Sequence, residues 1–286
     1  MRTLRLLCLI PIFWLVCVSS SAQQTASTSS PPATSGPQTV QAASILQQSF
    51  TAMTGGVAIN DATLTGTITI SFGTATQSGT LTVVTTASGQ GQLTLNLPLG
   101  TTTEVRSLTA NGPTLAEAAS DGVFHSVNTQ SALAPHPAVF FPAFLLGSGL
   151  SSPQYSVSYV GQETRYGTTV KHLVMWLAQS NPYVAVGQQR SGQHDIYIDV
   201  NSGLVRGITF TAHPYDASNP DKQFVSNRVA SYDNLEEVTF SDFRSVNNSI
   251  VPFQIQTSLY LQNGTLASSI QFSQVSLNTG AAITQN

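Results

Sequence analysis

Five histidines, His125, His136, His172, His194 and His213, are the residues best suited to metal binding or general-base work, and their spacing supports neither. None falls in an H-E-x-x-H or H-x-H pattern, so no zinc site is predicted. His194-Asp195 with Asp199 offers oxygen and nitrogen ligands, but Asp199-Val-Asn201-Ser-Gly203 lacks the acidic residues of a calcium loop. It reads as a turn in which Asp and Asn cap their own backbone. Serines are abundant, yet no G-x-S-x-G elbow occurs; Gly147-Ser148-Gly149 ends an apolar segment instead of following a strand. A Ser-His-Asp triad assembled only in space is the one hydrolytic reading left open. With no G-x-G-x-x-G and no P-loop, no nucleotide or other cofactor is expected. Catalytic, cofactor and metal residues are therefore predicted to be none.

Two charged pairs remain. Glu163 and Arg165 stand beside Gly161, and Asp242 and Arg244 lie in VTFSDFRSV. They form either a charged rim that meets a ligand or partner, or cross-strand pairs on a wet face, and the second is the simpler reading. Trp176 sits in an apolar strand, where core packing is its expected role.

The elements that position these residues begin with an address. Arg2 and Arg5 precede an apolar run from Leu6 to Val18, and Ser20-Ser21-Ala22 supplies small residues at a cleavage site. Residues 1–22 read as a secretory signal peptide too short to stay as a membrane anchor, so no integral span is expected after cleavage. Both cysteines, Cys8 and Cys17, lie within it, which leaves the mature chain without a disulfide or thiol nucleophile. Residues 23–39 are Ser/Thr/Pro/Gln-rich, uncharged, and read as a disordered spacer. One domain is expected over 40–280, followed by a tail over 281–286. Losing Arg2 and Arg5 leaves eight basic against 13 acidic residues, a net charge of −5. Such a sparse, mildly acidic surface offers no footprint for nucleic acid or anionic headgroups.

Residues 40–53 place Ala42, Ile45, Leu46, Phe50 and Met53 on one helical face, with Gly55-Gly56 as a stop. The period then becomes two: Leu64, Ile68, Ile70 and Phe72 alternate with Thr and Ser, and Leu93 to Leu99 repeat the pattern. These are half-buried antiparallel strands, with hairpin-length breaks at 73–79 and 88–91. PTLAEAAS at 113–120 fits a short helix or a strand end. PAVFFPAFLLG at 137–147 is apolar all round and reads as a short buried helix that Pro142 kinks or splits. Strands resume over 155–163, 168–177 and 195–200, and continue through VRGITFTAH. In VPFQIQTSLYL, Val251, Phe253, Ile255, Leu259 and Leu261 alternate with polar residues, Pro252 sits near the strand start, and Asn263-Gly264 signals a hairpin. The predicted class is α+β: a curved antiparallel sheet, an incomplete barrel, with helices covering its concave face.

Several of these segments resemble the LolA/LolB-like superfamily of periplasmic lipoprotein-carrier folds, in its divergent exported bacterial members. The resemblance rests on Gly161-Gln-Glu163 with Gly167, on Asp199 with Ser202-Gly203-Leu204, on Phe240-Ser241-Asp242-Phe243-Arg244 with Val246 and Pro252, and on the opening helix ILQQSFTAM. Asn248 stands where the family pattern has a turn glycine, and Val205 where it often has proline. The resemblance implies a half-barrel over 40–280 whose apolar cavity accepts acyl chains. The lining it implies is Ile45, Phe50, Phe140, Phe141, Phe144, Trp176, Phe240, Phe253 and Ile255. The expected function is that of an exported, non-enzymatic protein of the periplasm or exterior that binds a lipid or other hydrophobic ligand. The alternatives are an adhesin-like surface or matrix module, which requires two packed sheets and no helix over 40–53, and a secreted hydrolase.

Overall fold

The computed structural model describes residues 37–109, 112–118, 122–127, 140–152, 155–177, 194–211, 235–261, 264–281 and 283. Helix α1 spans Pro37–Thr54. It is followed by β1 (Asp61–Phe72), β2 (Ala75–Thr86), β3 (Gly91–Leu97), β4 (Gly100–Thr109), β5 (Gly112–Ala118) and β6 (Phe124–Val127). Helix α2 (Pro142–Ser151) leads into β7 (Tyr155–Arg165), β8 (Thr168–Leu177), β9 (His194–Asp199) and β10 (Val205–Thr211). The last three strands are β11 (Leu235–Val246), β12 (Ser249–Leu261) and β13 (Gly264–Leu277).

The 13 strands among the described residues form one antiparallel sheet in the order β6-β5-β4-β3-β2-β1-β13-β12-β11-β10-β9-β8-β7. Chain neighbours are sheet neighbours except at β6 and β7, and one pairing joins strands distant in the chain. The first strand pairs with the last, Leu64 opposite Val275, and β6 and β7 lie at opposite edges, so the connection carrying α2 crosses from one edge to the other. The sheet curls without closing. Extra residues at Val160 in β7, Arg206 in β10 and Ser273 in β13 bulge their ladders and add local twist. The extent of the curl shows in electrostatics: Arg106 on β4 and Tyr155 on β7 perturb each other's ionisation. Ten strand steps separate them in the sheet order, or ~48 Å if it were flat.

The inner face carries the expected alternation: Leu64 and Ile68, Leu81 and Val83, Phe240, then Val251, Phe253 and Ile255 are buried. Against it α1 lays Ala42, Ile45, Leu46 and Met53, spaced at one helical face. Two hydroxyls fix that helix over the sheet, with Ser49 Oγ donating to the Gly203 carbonyl at 2.7 Å and Ser249 Oγ to the Thr54 carbonyl at 3.2 Å. The helix stops at Gly55, whose φ of 63° no side chain adopts readily and whose Cβ would meet the Asn248 carbonyl at 2.4 Å.

Several elements differ from the sequence reading. Helix α1 begins at Pro37, taking in three residues assigned to the spacer. Of the two readings at Pro142 the split holds: Phe140 is helical, Phe141 is a bend, and Pro142 starts α2, since a first-turn position needs no N–H. The helix then runs through Gly147 and Gly149, which were expected to end it. Both are places of close approach: a Cβ at 147 would lie 3.2 Å from the Phe50 ring, and one at 149 would lie 2.8 Å from Met175 Sδ. Residues 75–79 belong to β2, leaving a tight turn at Gly73-Thr74. PTLAEA lies in β5, so the ambiguity at 113–120 resolves to strand as far as Ala118. One sheet with a helix packed over it contradicts the two-sheet adhesin architecture. The Asn247-Asn248 turn takes left-handed φ values of 49° and 66°, which Asn tolerates where glycine was expected. Pro252 fits its inner strand because the β12–β13 ladder starts only at Gln254.

Candidate functional site

Eight of the nine residues predicted to line a cavity come together. Ile45, Phe140, Phe141, Phe144, Phe240, Phe253 and Ile255 belong to one continuous core between sheet and helices, and half-buried Phe50 packs against it. Trp176 lies on β8 opposite Ser156, and its side chain falls outside the described residues. Phe141 and Phe144 meet edge to face at 4.8 Å.

Of these eight, Phe50 and Phe144 also line an open cleft of about 290 Å³ where α1 and α2 meet the β2–β3 turn. Ile59, Ala87, Ala143 and Leu150 make it apolar, while Gln47 and Ser151 supply polar groups. Sequence reasoning missed these six, and with them Thr54 and Gly147. For those on the helices the signal is spacing: Gln47, Phe50 and Thr54 share one side of α1, and Ala143, Gly147 and Leu150 one side of α2. Reading Gly147 as a stop concealed the second stripe.

The interior is not uniformly apolar. Glu104 on β4 stands opposite core Leu93 and opposite Glu117 on β5, so its position is on the inner face. Glu236 on β11 stands opposite Leu259 and is only 4% exposed. Burial, then the charge of Glu117, pushes the Glu104 carboxyl up to about 7, against the pull of Arg106. Burial, then the charge of Glu104, pushes Glu236 up to about 8. Burial likewise lowers the Arg106 pKa and raises that of Tyr155.

The outer face carries a different set. The bulge at Val160 reverses the alternation of β7 and turns its end outward. Arg165 Nη2 donates to Glu237 Oε1 at 2.8 Å, its Nη1 donates to Tyr197 Oη at 2.6 Å, and its guanidinium stacks 4.1 Å from the Tyr197 ring centre. Tyr166 Oη donates to the same Glu237 oxygen at 2.8 Å, and its ring covers Gly207, where a Cβ would lie 2.5 Å away. Burial raises the Glu237 pKa, but its hydrogen bonds from Arg165 and Tyr166 outweigh this and lower it. Glu163 and Arg165 were read as a charged rim or as members of cross-strand pairs. Both reach other strands, Glu163 approaching His172 on β8 and Arg165 taking Glu237 on β11. Asp242 and Arg244 do pair, at 2.6 and 3.0 Å, with the guanidinium 4.4 Å from the Phe253 ring centre.

The turn at Asp199 forms as expected for its aspartate. Asp199 Oδ1 accepts from the Asn201 and Ser202 amides at 3.0 and 2.7 Å and from Ser202 Oγ at 2.9 Å. Burial opposes ionisation, but these bonds and one from Thr168 bring its pKa down to about 2.

A hydrolase would use the pairing of His172 Nε2 with Asp195 Oδ1 at 2.7 Å. The other ring nitrogen faces Glu163 Oε1 at 3.4 Å, so carboxylates flank both nitrogens and neither is directed at a serine. Among the described residues no group of three or more His, Cys, Asp or Glu is placed to hold a metal ion, and no helix is long and apolar enough to cross a membrane.

The curled sheet with helices over its inner face has known counterparts among solved structures. A domain assigned to outer-membrane lipoprotein sorting from Vibrio parahaemolyticus superposes with a TM-score of 0.55 at 11% identity, over 85% of this chain and 95% of that one. The fold is LolA-like. A DUF1329-family protein from Desulfovibrio piger gives 0.55 at 11% identity over 86% and 95% of the two chains. A LolA-superfamily protein from Nitrosomonas europaea gives 0.53 at 11% identity over 83% and 93%. A scan against protein-family models finds no match, and neither does a search of curated proteins. The LolA-like likeness is thus one of backbone, carried by sheet order and helix placement.

Proposed function

We propose that this chain is an exported, non-enzymatic binding protein that carries a lipid or another hydrophobic ligand through the cleft between α1 and α2. The observation that carries the reading is that cleft: about 290 Å³, walled mainly by apolar side chains, and bordered by the aromatic core at Phe144. Sites for apolar ligands are concave, mostly apolar and edged by a few polar groups, and Gln47 and Ser151 supply such an edge here. The LolA-like fold supports the same class of function by analogy, since one neighbour is itself assigned to lipoprotein sorting. In this reading Phe50 and Phe144 form the entrance, and Ile45, Phe140, Phe141, Phe240, Phe253 and Ile255 form the apolar interior that a chain meets on moving inward.

The test is native mass spectrometry and solvent extraction of protein expressed with its leader, alongside the variant Ser151→Trp. Ser151 is exposed at the end of α2 and lines the cleft, so an indole there fills the opening without entering the core. Co-purifying lipid is expected in the parent and strongly reduced occupancy in the variant. A parent with no extractable lipid and no uptake of an added apolar fluorophore overturns the proposal.

A further inference from the structure

The interior set of Glu104, Glu117, Glu236, Arg106 and Tyr155 is unused by the reading above; none of the five lines the cleft, but Tyr155 and Arg106 sit on segments that border it. Tyr155 follows the last residue of α2 by four positions and donates its backbone N–H to the Ser152 carbonyl at 3.2 Å. Arg106 is the register partner of Gly91, at the end of the β2–β3 turn whose Ala87 lines the cleft. Glu104 and Glu236 lie six strand steps apart in the sheet order, ~29 Å if flat, yet the curl brings them within electrostatic reach. Four strands, β4, β5, β7 and β11, therefore contribute charged or titratable groups to one interior.

We propose that the Glu104 and Glu236 carboxyl groups gate the apolar interior by protonation: protonated, they leave it able to hold a hydrophobic ligand, and ionised, they expel it. The proposal rests on the ligand-binding reading and names how that site is regulated. The one guanidinium that bears on this pair, Arg106, acts on Glu104 and not on Glu236, so ionising both leaves the interior with excess negative charge that only water or a counter-ion can satisfy. The groups that bear on Glu104 are Glu117 and Arg106, and the one that bears on Glu236 is Glu104. His194 on β9 shares the inner side two strands from Glu236, through the position of Phe210. His125 holds the register position opposite Glu117 on β6. Burial holds Glu104 and Glu236 near 7 and 8, so the switch falls across neutral pH. The direction follows from the charge: retention at lower pH, release as pH rises.

Uptake of N-phenyl-1-naphthylamine, a fluorophore uncharged across the range, is measured from pH 6 to 9 on the full chain and on Glu104→Gln/Glu236→Gln. The glutamines keep shape and remove the ionisation, and a thermal melt at pH 6 confirms that the variant is folded. Affinity in the parent is expected to fall about tenfold or more between pH 6 and 9, and to stay level in the variant. Equal, pH-independent uptake by both proteins overturns the gate and leaves the ligand-binding reading standing. Uptake by neither at any pH overturns both. A parallel decline in both proteins also overturns the gate, because these two carboxyls would then not be its cause.

Discussion

Glu236 and Glu237 are consecutive on β11, and their carboxyl groups shift in opposite directions. The inner one sits over Leu259 and is pushed up to about 8 by burial and by Glu104. The outer one accepts hydrogen bonds from Arg165 and Tyr166 and is lowered despite its partial burial. Strand alternation sends them to opposite faces, and partners decide the rest. On the outer face each carboxylate meets donors: Glu237 has Arg165, Asp199 has its own turn, and Asp242 has Arg244. On the inner face carboxyl groups meet mainly apolar walls and one another. The outer groups reinforce the fold as ions, whereas Glu104 and Glu236 are tolerated inside as neutral acids.

The largest expected effect separates the two faces by pH. A folded-state pKa raised from 4.5 to about 8 makes the Glu236 contribution complete below the unfolded value. It is lost progressively as pH rises through 8. Glu236→Gln is therefore expected to match the parent near pH 4.5 and to exceed it by about 5 kcal/mol at pH 9 in urea denaturation. A variant no more stable than the parent at pH 9 breaks the contrast. Asp199 has the opposite sign: lowered from 3.8 to about 2, it contributes above the unfolded value and loses that contribution as pH falls through 2. Asp199→Asn should cost about 2 kcal/mol at pH 7 and nearly nothing at pH 2, read from the same urea midpoints. Arg165→Met should cost about 1 kcal/mol at pH 7, since both side chains are part-exposed and screened. It should also bring the Glu237 carboxyl up, visible in carboxyl NMR titration. Arg244→Gln is the smallest: the pair with Asp242 is solvent-facing at the rim, and the thermal midpoint should not move measurably. A clear drop there would mean that the rim is tied to the interior through Phe253.

Much of the architecture was legible because its signals are periodic. Val251, Phe253 and Ile255 alternate cleanly, and α1 shows one apolar face with a glycine stop. Where the reading failed, one residue type serves two purposes. Gly147 and Gly149 look like helix terminators but allow α1 and β8 to approach α2 closely, a tertiary requirement that no local pattern displays. The inner carboxyls were missed for a related reason. In Thr-Glu104-Val105-Arg106 the valine invites the assignment of Glu104 to the wet face, yet the ladder puts Glu104 opposite core Leu93. Glu236 was within reach: extending the alternation of Phe240 and Val238 back by one step places it inside. The cleft itself depends on how α2 meets α1, a tertiary contact that neither helix displays in its own pattern.

That connection and the pairing of β1 with β13 fix an order of events. As the chain is made from its N-terminus, β1 and β2 can zip at once, but the other side of β1 has no partner until residues 264–277 exist. About two hundred residues separate Thr63 from Ser276, so the central ladder is the one with the most distant ends, and such closures are slow. Until it forms, an open strand edge rich in Thr, Ile and Leu stays available to any other chain. Deleting the last strand would do more than shorten the sheet, because it would split it at its middle and expose two edges where the native fold has none. A molecule built this way gains from a helper that shields nascent chains, and its yield should depend on concentration well before its equilibrium stability does.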